Sequence, residues 1–309
     1  MTRLQRRLAL AVGASLLVAA AYVAIRHYHV HDAIAQRWDG RQPGDAWNRP
    51  SARAAARWLP GYAFDIEDRP IADVRDNLSG LDFDPASGHL LAVVNRPPEL
   101  LVLDTDGRLL RRHPIEGASD VEALVALGAG DVLLLQEGKR LLVRARLPRR
   151  AGEPVRADKT MRVRLDARGP RNSGPEGMAY DAATDTLYVA KESDPVALYA
   201  ITGIRDGRGR TTQVDRSAWL RPLRFASDLS GLAFDPATGH LFLLSDQSQL
   251  VAEIDGHGAP VSWISLRDKA RRLPPPQPEG LAIDAHGTLY IASEPNLFYR
   301  MRARATPVR

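Results

Sequence analysis

The chain has 309 residues, and its 42 Lys and Arg side chains outnumber its 37 Asp and Glu side chains, for a net charge of +5. It contains no cysteine, which excludes disulfide bonds, thiolate metal ligands and thiol catalysis. The basic residues are scattered rather than gathered with aromatic side chains, so we expect no binding of nucleic acid.

An apolar segment dominates the N-terminus. Arg6 and Arg7 precede an uncharged apolar run from Leu8 to Ile25, which Arg26 closes. The run is close to the roughly 20 residues that span a bilayer, and the positive charges before it favour a cytoplasmic N-terminus. We therefore predict that residues 1–26 form a transmembrane helix, which anchors the chain once in the inner membrane and leaves the rest in the periplasm.

A cleaved signal peptide is the alternative to an anchor, because Ala19-Ala20-Ala21 supplies small residues near the end of the run. The run continues past these residues to Ile25, which favours the uncleaved anchor. Residues 27–59 lack the alternation of a strand and are predicted to form a tether or a short helix. The domain that follows is predicted to occupy residues 60–309.

One sequence pattern then repeats five times along the chain. Each copy has a small or acidic residue, an apolar strand, a turn and a second apolar strand that ends in a polar residue. A repeat of short strands predicts an all-β fold, a β-propeller with one small sheet for each copy. The copies begin at Ser79-Gly80-Leu81, Asp120-Val121-Glu122, Glu176-Gly177-Met178, Ser230-Gly231-Leu232 and Glu279-Gly280-Leu281.

The first four copies each contain four short segments, of which the fourth in the third copy, near Gln213, is weaker, whereas the fifth copy contains only three, the last of them Leu297 to Met301. The alternating segment Tyr62 to Ile71 precedes the first copy and could supply the missing strand, which would close the ring. The count predicts five four-stranded blades. Six blades remain the alternative if a connector, Arg149 to Thr160 or Arg205 to Leu223, hides a degenerate blade.

Four of the turns within the copies begin with an aspartate. An aspartate caps such a turn by accepting hydrogen bonds from the backbone that follows it. A calcium loop is the alternative interpretation, but the turn chemistry explains these residues fully, and they fall on the face opposite the strand starts. The residues are Asp84, Asp181, Asp235 and Asp284.

Acidic residues recur at two positions of the repeat that meet around the axis. The starts of the first strands are Ser79, Asp120, Glu122, Glu176, Ser230 and Glu279. The ends of the second strands are Asn95, Glu137, Glu192, Asp246 and Glu294. Antiparallel pairing brings each start near its matching end, so three blades each offer a pair of glutamates. The predicted pairs are Glu122 with Glu137, Glu176 with Glu192, and Glu279 with Glu294.

We call this predicted group of carboxylates the acidic mouth of the axis. Acids that converge in a region of low dielectric constant repel one another, so their charge needs an offset. Ca²⁺ or another divalent cation with oxygen ligands would supply it, and the six paired glutamates are the predicted ligands. Neighbouring cations are the competing explanation, because Lys191, Arg96 and Arg140 lie beside these positions.

At these residues the chain resembles the SdiA-regulated family. The likeness covers roughly residues 60 to 303, and it implies an exported or membrane-anchored β-propeller without supplying an activity. The family is distantly similar to phytase-like and gluconolactonase-like propellers, which hold metal ions at the axis, but no complete ligand set transfers from them. The matching segments start at Asn77-Leu78-Ser79-Gly80-Leu81, Pro175-Glu176-Gly177, Leu229-Ser230-Gly231-Leu232 and Pro278-Glu279-Gly280-Leu281.

Two functions follow from this organisation. The first is a periplasmic binding or scaffold propeller that holds a small molecule, a cation or a partner protein at the acidic mouth. The second is a metal-dependent hydrolase of a phosphoester or a lactone, in which the metal activates water. The sequence contains no Gly-x-Ser-x-Gly elbow for a nucleophile, which favours binding. The fold alone does not choose, since propellers serve both kinds of function.

Overall fold

The strands of the domain follow the repeats of the sequence in chain order. A computed structural model of the chain describes residues 45–167, 174–206, 210–267 and 274–304, together with Gln5. The strands are β1 (Tyr62–Pro70), β2 (Leu78–Asp84), β3 (His89–Val94), β4 (Glu99–Leu103), β5 (Leu109–Glu116), β6 (Val121–Gly128), β7 (Asp131–Gln136), β8 (Leu141–Arg146), β9 (Val155–Arg164), β10 (Pro175–Asp181), β11 (Thr186–Lys191), β12 (Ala197–Thr202), β13 (Thr212–Asp215), β14 (Gly231–Asp235), β15 (His240–Ser245), β16 (Leu250–Ile254), β17 (Pro260–Ser265), β18 (Gln277–Ile283), β19 (Leu289–Glu294) and β20 (Leu297–Ala303). Three short 3-10 helices accompany them, η1 (Pro50–Ala55), η2 (Leu59–Gly61) and η3 (Ser217–Leu223).

These strands group in fours. Three sheets have four strands each, in the orders β1-β20-β19-β18, β10-β11-β12-β13 and β14-β15-β16-β17. The fourth sheet has eight strands, β2 to β5 and β6 to β9, joined where β5 runs parallel to β9 at Ile115–Val155 and Glu116–Arg156. We number the groups blades 1 to 5, from β2–β5 to β18–β20 with β1. The described chain is all-β and propeller-like, as the repeats predict.

Both faces of each central strand are buried. In β3, Leu90 and Ala92 pack toward blade 5, whereas Leu91 and Val93 pack toward blade 2. Successive side chains of a strand point to opposite faces, so a strand sandwiched between two sheets is apolar throughout. The same arrangement produces five apolar clusters, each between two successive blades. The first strands of the blades contact one another in the order β2, β6, β10, β14, β18 and β2 again.

The N-terminal strand completes the last blade. β1 pairs antiparallel with β20, from Tyr62 opposite Ala303 to Pro70 opposite Leu297. The prediction that Tyr62 to Ile71 supplies the missing strand of the fifth copy is therefore confirmed. The pairing joins the start of the domain to its end and covers an edge of β20 that would otherwise be open.

The two long connectors do not form a sixth sheet in their described parts. Val155 to Arg164 is one long strand, β9, which completes blade 2. The other connector supplies β13, the fourth strand of blade 3, and then the helix η3. Both segments therefore belong to blades that the repeats already count.

The aspartate-led turns have the hydrogen bonds that their sequence predicts. Asp84 accepts from the Ala86 N–H at 3.1 Å and from the Ser87 hydroxyl at 2.7 Å. Asp181 and Asp235 repeat this pattern, and Asp284 accepts from the backbone of its own turn. These carboxylates cap turns, and the turns lie at the end of the strands opposite the acidic mouth.

The described part of the predicted tether packs on the propeller. The ring of Trp47 meets Phe225 edge-on at 5.5 Å, and its N–H donates to the Pro222 carbonyl at 3.0 Å. Arg57 makes an ion pair with Asp235 at 2.7 Å. These contacts place residues 45–61 against blade 4 and beside blade 5.

The remainder of the tether lies outside the described residues, as does the predicted anchor from Leu8 to Ile25. Among the residues that the structure does describe, no helix has the length and apolar character needed to cross a membrane.

Candidate functional site

Three glutamates of the acidic mouth sit at irregularities of the innermost strands. Glu122, Glu176 and Glu279 each fall where the pairing with the second strand shifts by one residue. In blade 2, Val121 and Ala123 have partners in β7, while Glu122 between them has none. Such a β-bulge bends the strand and redirects a side chain. The bulge therefore turns each glutamate away from the regular alternation of its strand.

The ends of the second strands lie beside these bulges. The Glu137 N–H donates to the Asp120 carbonyl at 3.0 Å, and the Glu192 N–H donates to the Gly174 carbonyl at 3.2 Å. Glu294 lies opposite Gln277, at the start of β18. The structure thus brings each of the three predicted glutamate pairs to the start of its own blade.

Blade 2 holds the tightest group of carboxylates. Asp120, Glu122 and Glu137 each offer one carboxylate oxygen, and these three oxygens lie within 4.8 Å of one another. Asp120 was among the acidic strand starts, but the predicted pairs omitted it. Its backbone is left-handed, at φ 58°, which the sequence does not reveal. In the sequence, only the position of this acidic residue, two places before Glu122, indicated that it could join the group.

Hydrogen bonds hold the carboxylates of this group in place. The Ser79 hydroxyl donates to Glu122 Oε2 at 2.9 Å, and the Asn95 amide donates to Glu122 Oε1. The backbone N–H of Gly174 donates to Glu137 at 2.9 Å, and that of Gly138 donates to Asp120 at 3.0 Å. The polar residues at the start of β2 and directly after β3, both of blade 1, therefore orient the glutamate of blade 2.

A narrow cavity of about 10 Å³ lies on the axis among the first strands of all five blades. Glu176 and Glu279 are the charged residues of its lining, and both side chains are half-buried. An apolar residue from each blade completes the wall. These residues are Leu81, Leu124, Met178, Leu232 and Leu281.

Burial raises the pKa of every glutamate in the predicted set. It is the largest cause in each case, because an ionised carboxylate loses hydration inside the channel. The pKa of Glu122 is raised to about 7, and the nearby charge of Glu137 adds to the effect of burial. Burial and then the charge of Glu279 raise the pKa of Glu176 well above its usual range.

The acids also interact across blades. After burial, the charges of Asp246 and Glu294 raise the pKa of Glu279, which lies in the fifth blade. The charges of Glu122 and Glu192 contribute as well. The predicted pairs therefore belong to one group of mutually repelling carboxylates rather than to three separate sites.

The neighbouring cations named by the sequence offset this group only in part. The charges of Arg140 and Lys191 lower the pKa values of Glu137 and Glu192, but burial outweighs them and both values stay raised. Buried Lys191 donates to the carbonyl oxygens of Ser193 and, at 3.2 Å, Pro195. Arg140 donates to the Ala167 carbonyl. Arg96 reaches Asp120 at 3.9 Å, but its side chain is 76% exposed, so the attraction is screened.

None of the ion pairs between described residues includes one of the six predicted glutamates. Glu176, Glu279 and Glu294 also accept no hydrogen bond from the described part of the chain. Two connectors that lead into β10 and β18, residues 168–173 and 268–273, lie outside that part.

Blade 4 contributes a buried aspartate that the sequence analysis missed. Asp228 accepts hydrogen bonds from the Ser245 hydroxyl and from the Asp246 and Gln247 N–H groups, the latter two at 3.1 and 3.2 Å. Burial raises the pKa of Asp228 to about 6. Asp228 fixes the end of the second strand and so positions Asp246 near Glu279. The sequence indicated a polar site in this blade only through Asp246, which occupies the same repeat position as the predicted glutamates.

Comparisons with known proteins agree with this architecture. The family model of the SdiA-regulated family matches residues 54–302. The glutaminyl cyclase of Myxococcus xanthus is a similar solved structure, with a TM-score of 0.53 and 17% identity over 78% of this chain and 95% of that one.

Two further solved structures are similar at a lower level. A luciferin-regenerating enzyme has a TM-score of 0.49 and 14% identity over 76% of this chain and 94% of its own. A protein of Agrobacterium tumefaciens titled a calcium-binding protein, regucalcin, has a TM-score of 0.47 and 15% identity over 79% of this chain and 97% of its own. At such low identities the likeness to solved structures concerns the fold alone. The family match spans most of the chain, and the chain therefore belongs to the SdiA-regulated family.

Proposed function

We propose that the protein is a closed five-bladed propeller that binds a divalent cation, Ca²⁺ or a similar ion, at the acidic mouth of its axis. The observation that carries this proposal is the pair Glu176 and Glu279. Both line the axial cavity above apolar walls, and neither has a hydrogen-bond or ion-pair partner in the described part of the chain. Carboxylates held together in this way repel one another until they take up protons or an opposite charge offsets the repulsion, and a cation supplies that charge.

The ligand atoms suit a hard cation. Ca²⁺ takes six to eight oxygen ligands at about 2.3–2.6 Å, so two ligands of one ion lie at most about 5 Å apart. The carboxylate oxygens of Asp120, Glu122 and Glu137 lie within 4.8 Å of one another and meet this limit. These three side chains would hold the ion, and Glu176, Glu192, Glu279 and Glu294 would add negative charge around it.

Protons compete with the cation for these oxygens. The pKa of Glu122 is about 7, so its carboxyl group is protonated below that pH and must lose the proton to bind a metal ion. Affinity for Ca²⁺ should therefore rise as the pH increases from 6 to 8. The bound ion would in turn lower the pKa values of the neighbouring carboxyl groups.

A thermal-unfolding experiment tests the proposal. Ca²⁺ should raise the melting temperature of the wild type, because a ligand at about a hundredfold excess over its Kd stabilises the folded state by about 2.7 kcal/mol. The double variant Glu176→Gln with Glu279→Gln keeps the shape of both side chains and removes their charge. It should lose the response to Ca²⁺ and, without metal, melt at the same temperature as the wild type or higher. Glu67→Gln, an exposed change on β1, is the control that should retain the response.

The competing explanation makes the opposite prediction. The connectors 168–173 and 268–273 carry Arg168, Arg171, Lys269, Arg271 and Arg272 by sequence. If such cations neutralised the glutamates, the double variant would be destabilised with or without metal, and the wild type would not respond to Ca²⁺ or to a chelator. That combination of results would refute the cation site.

The cellular location is a second part of the proposal. The apolar run from Leu8 to Ile25 and the arginines before it support a single-pass anchor in the inner membrane, with the propeller in the periplasm. A small molecule or a periplasmic protein could then reach the mouth. The hydrolase alternative stays a prediction, because no contact in the described site favours it over binding.

A further inference from the structure

A second cavity opens at the same end of blade 2, outside the acidic mouth. Its volume is about 550 Å³. β7 ends at Gln136 and β9 ends at Arg164, so both strands run toward this end of the blade. Gln136 and Gly138, the chain neighbours of Glu137, line the cavity, but Glu122 and Glu137 do not belong to its lining.

The lining of this cavity is strongly basic. Lys139 and Arg140 come from the turn between β7 and β8, and Arg162 and Arg164 come from the end of β9. The two β9 arginines point to the same face of the sheet, because they are separated by Val163, which is buried in the core on the opposite face. Charge is thus segregated at this end of blade 2, negative at the axis and positive farther out.

Three of these positive charges form no ion pair with a carboxylate of the described residues. None of the ion pairs between described residues includes Lys139, Arg162 or Arg164. Elsewhere in the same sheet arginines are paired, as Arg144 is with Asp131 at 2.6 Å and Arg156 with Glu116 at 3.0 Å. The lack of a counterion is therefore a property of this cavity and not of arginines on this sheet in general.

Neutral oxygen atoms hold the lysine at the cavity. Lys139 Nζ donates to the Ser119 hydroxyl at 3.2 Å and to Gln136 Oε1 at 3.1 Å. An ammonium group has three N–H donors, so one donor is left for a ligand. Arg164 donates to the Lys139 carbonyl at 3.4 Å, which brings its guanidinium group near the same turn.

We propose that this cavity binds an oxyanion, the phosphate or carboxylate group of a small ligand. The planar N–H fork of arginine matches both groups, and lysine adds a point charge without a geometric demand. Binding would also relieve the repulsion among the cations. The proposal does not depend on a metal ion at the acidic mouth.

Calorimetric titration of the full chain with inorganic phosphate tests the proposal. The buffer contains a chelator, so that a metal ion at the mouth does not contribute. The double variant Lys139→Gln with Arg164→Gln changes two exposed side chains and should bind phosphate at least tenfold more weakly. The control is Arg108→Gln, which removes a 70% exposed positive charge at the opposite end of the strands.

The outcomes separate this cavity from the cation site. The proposal would be overturned if the wild type did not bind phosphate, or if the wild type and the double variant bound it with equal affinity. It would also be overturned if the Arg108→Gln control lost as much affinity for phosphate as the double variant. A wild type that binds phosphate but does not respond to Ca²⁺ would refute only the cation site. If the source of the anion is a lipid headgroup, a short-chain phosphatidylglycerol should bind more tightly than phosphate, and a free phosphate compound predicts the reverse. Binding of either ligand would depend on Lys139 and Arg164.

Discussion

Replacement of Glu122 by Gln should stabilise the metal-free protein at alkaline pH and not at acidic pH. Glu122 sits at a bulge of the innermost strand, where burial raises the pKa of its carboxyl group to about 7 from an ordinary value of 4.5. Glutamine keeps the shape and both hydrogen bonds, because its amide can accept from Asn95 and donate to the Ser79 hydroxyl. The variant therefore removes the charge and little else.

The sign and size of the effect follow from the shift in pKa. Between about pH 4.5 and 7 the folded state holds the proton and the unfolded state has lost it, so stability falls as the pH rises. Above the folded-state pKa the loss is complete, at about 3 kcal/mol for a difference of this size at about 1.4 kcal/mol for each pKa unit. Below about pH 4.5 both states are protonated, and the two proteins should be equally stable.

Urea unfolding in the presence of a chelator measures this difference. Wild type and Glu122→Gln are compared at pH 4.5 and at pH 8, with Glu67→Gln as an exposed control on β1. The free energy of unfolding of Glu122→Gln should exceed that of the wild type by about 2–3 kcal/mol at pH 8 and by little at pH 4.5. A variant that is less stable than the wild type at pH 8 would refute the reasoning, because it would mean that Glu122 has a cationic partner.

Three further predictions concern the packing and the location of the propeller. Gly280→Ala would place a Cβ atom 2.7 Å from the Ser79 carbonyl oxygen, so it should lower the free energy of unfolding by about 1–3 kcal/mol. The control is Gly61→Ala, whose Cβ atom would meet nothing closer than 3.8 Å. Equal melting temperatures of the two variants would contradict the close approach of the inner strands. Deletion of Tyr62–Pro70 exposes the edge of β20 and should cause aggregation in light-scattering measurements. A monomeric truncated protein with unchanged melting would show that β1 does not close the ring. Fractionation with a C-terminal reporter should place the protein in the membrane with the reporter in the periplasm, and activity of a reporter that works only in the cytoplasm would contradict the anchor predicted from Leu8 to Ile25.

Local patterns predicted most of the strands. β11, β14 and β15 are apolar runs bounded by aspartate-led turns and by polar residues at the mouth, and these boundaries are visible in the sequence. The closing strand was predictable for a related reason. The fifth copy lacked one strand, and Tyr62 to Ile71 was the one segment before the first copy with the alternation of a strand.

Features that depend on distant segments could not be predicted in this way. Nothing in the alternation of β6 shows that Glu122 lies at a bulge or that Asp120 has a left-handed backbone. The contact of Trp47 with Phe225 joins residues that are far apart in the chain, so its segment resembles a free tether in the sequence. The basic cavity could not be predicted for the same reason, because Lys139 and Arg164 come together only when β8 pairs with β9.

A crystal structure of the full chain grown with Ca²⁺, examined by an anomalous difference map, tests the central claim most directly. The account predicts an anomalous peak at the acidic mouth, with carboxylate oxygens of the predicted glutamates at about 2.3–2.6 Å from the ion. Glu176 and Glu279 at the axial cavity should be among the residues around it. A map without this peak, in which arginine or lysine side chains lie against these two glutamates, would contradict the account.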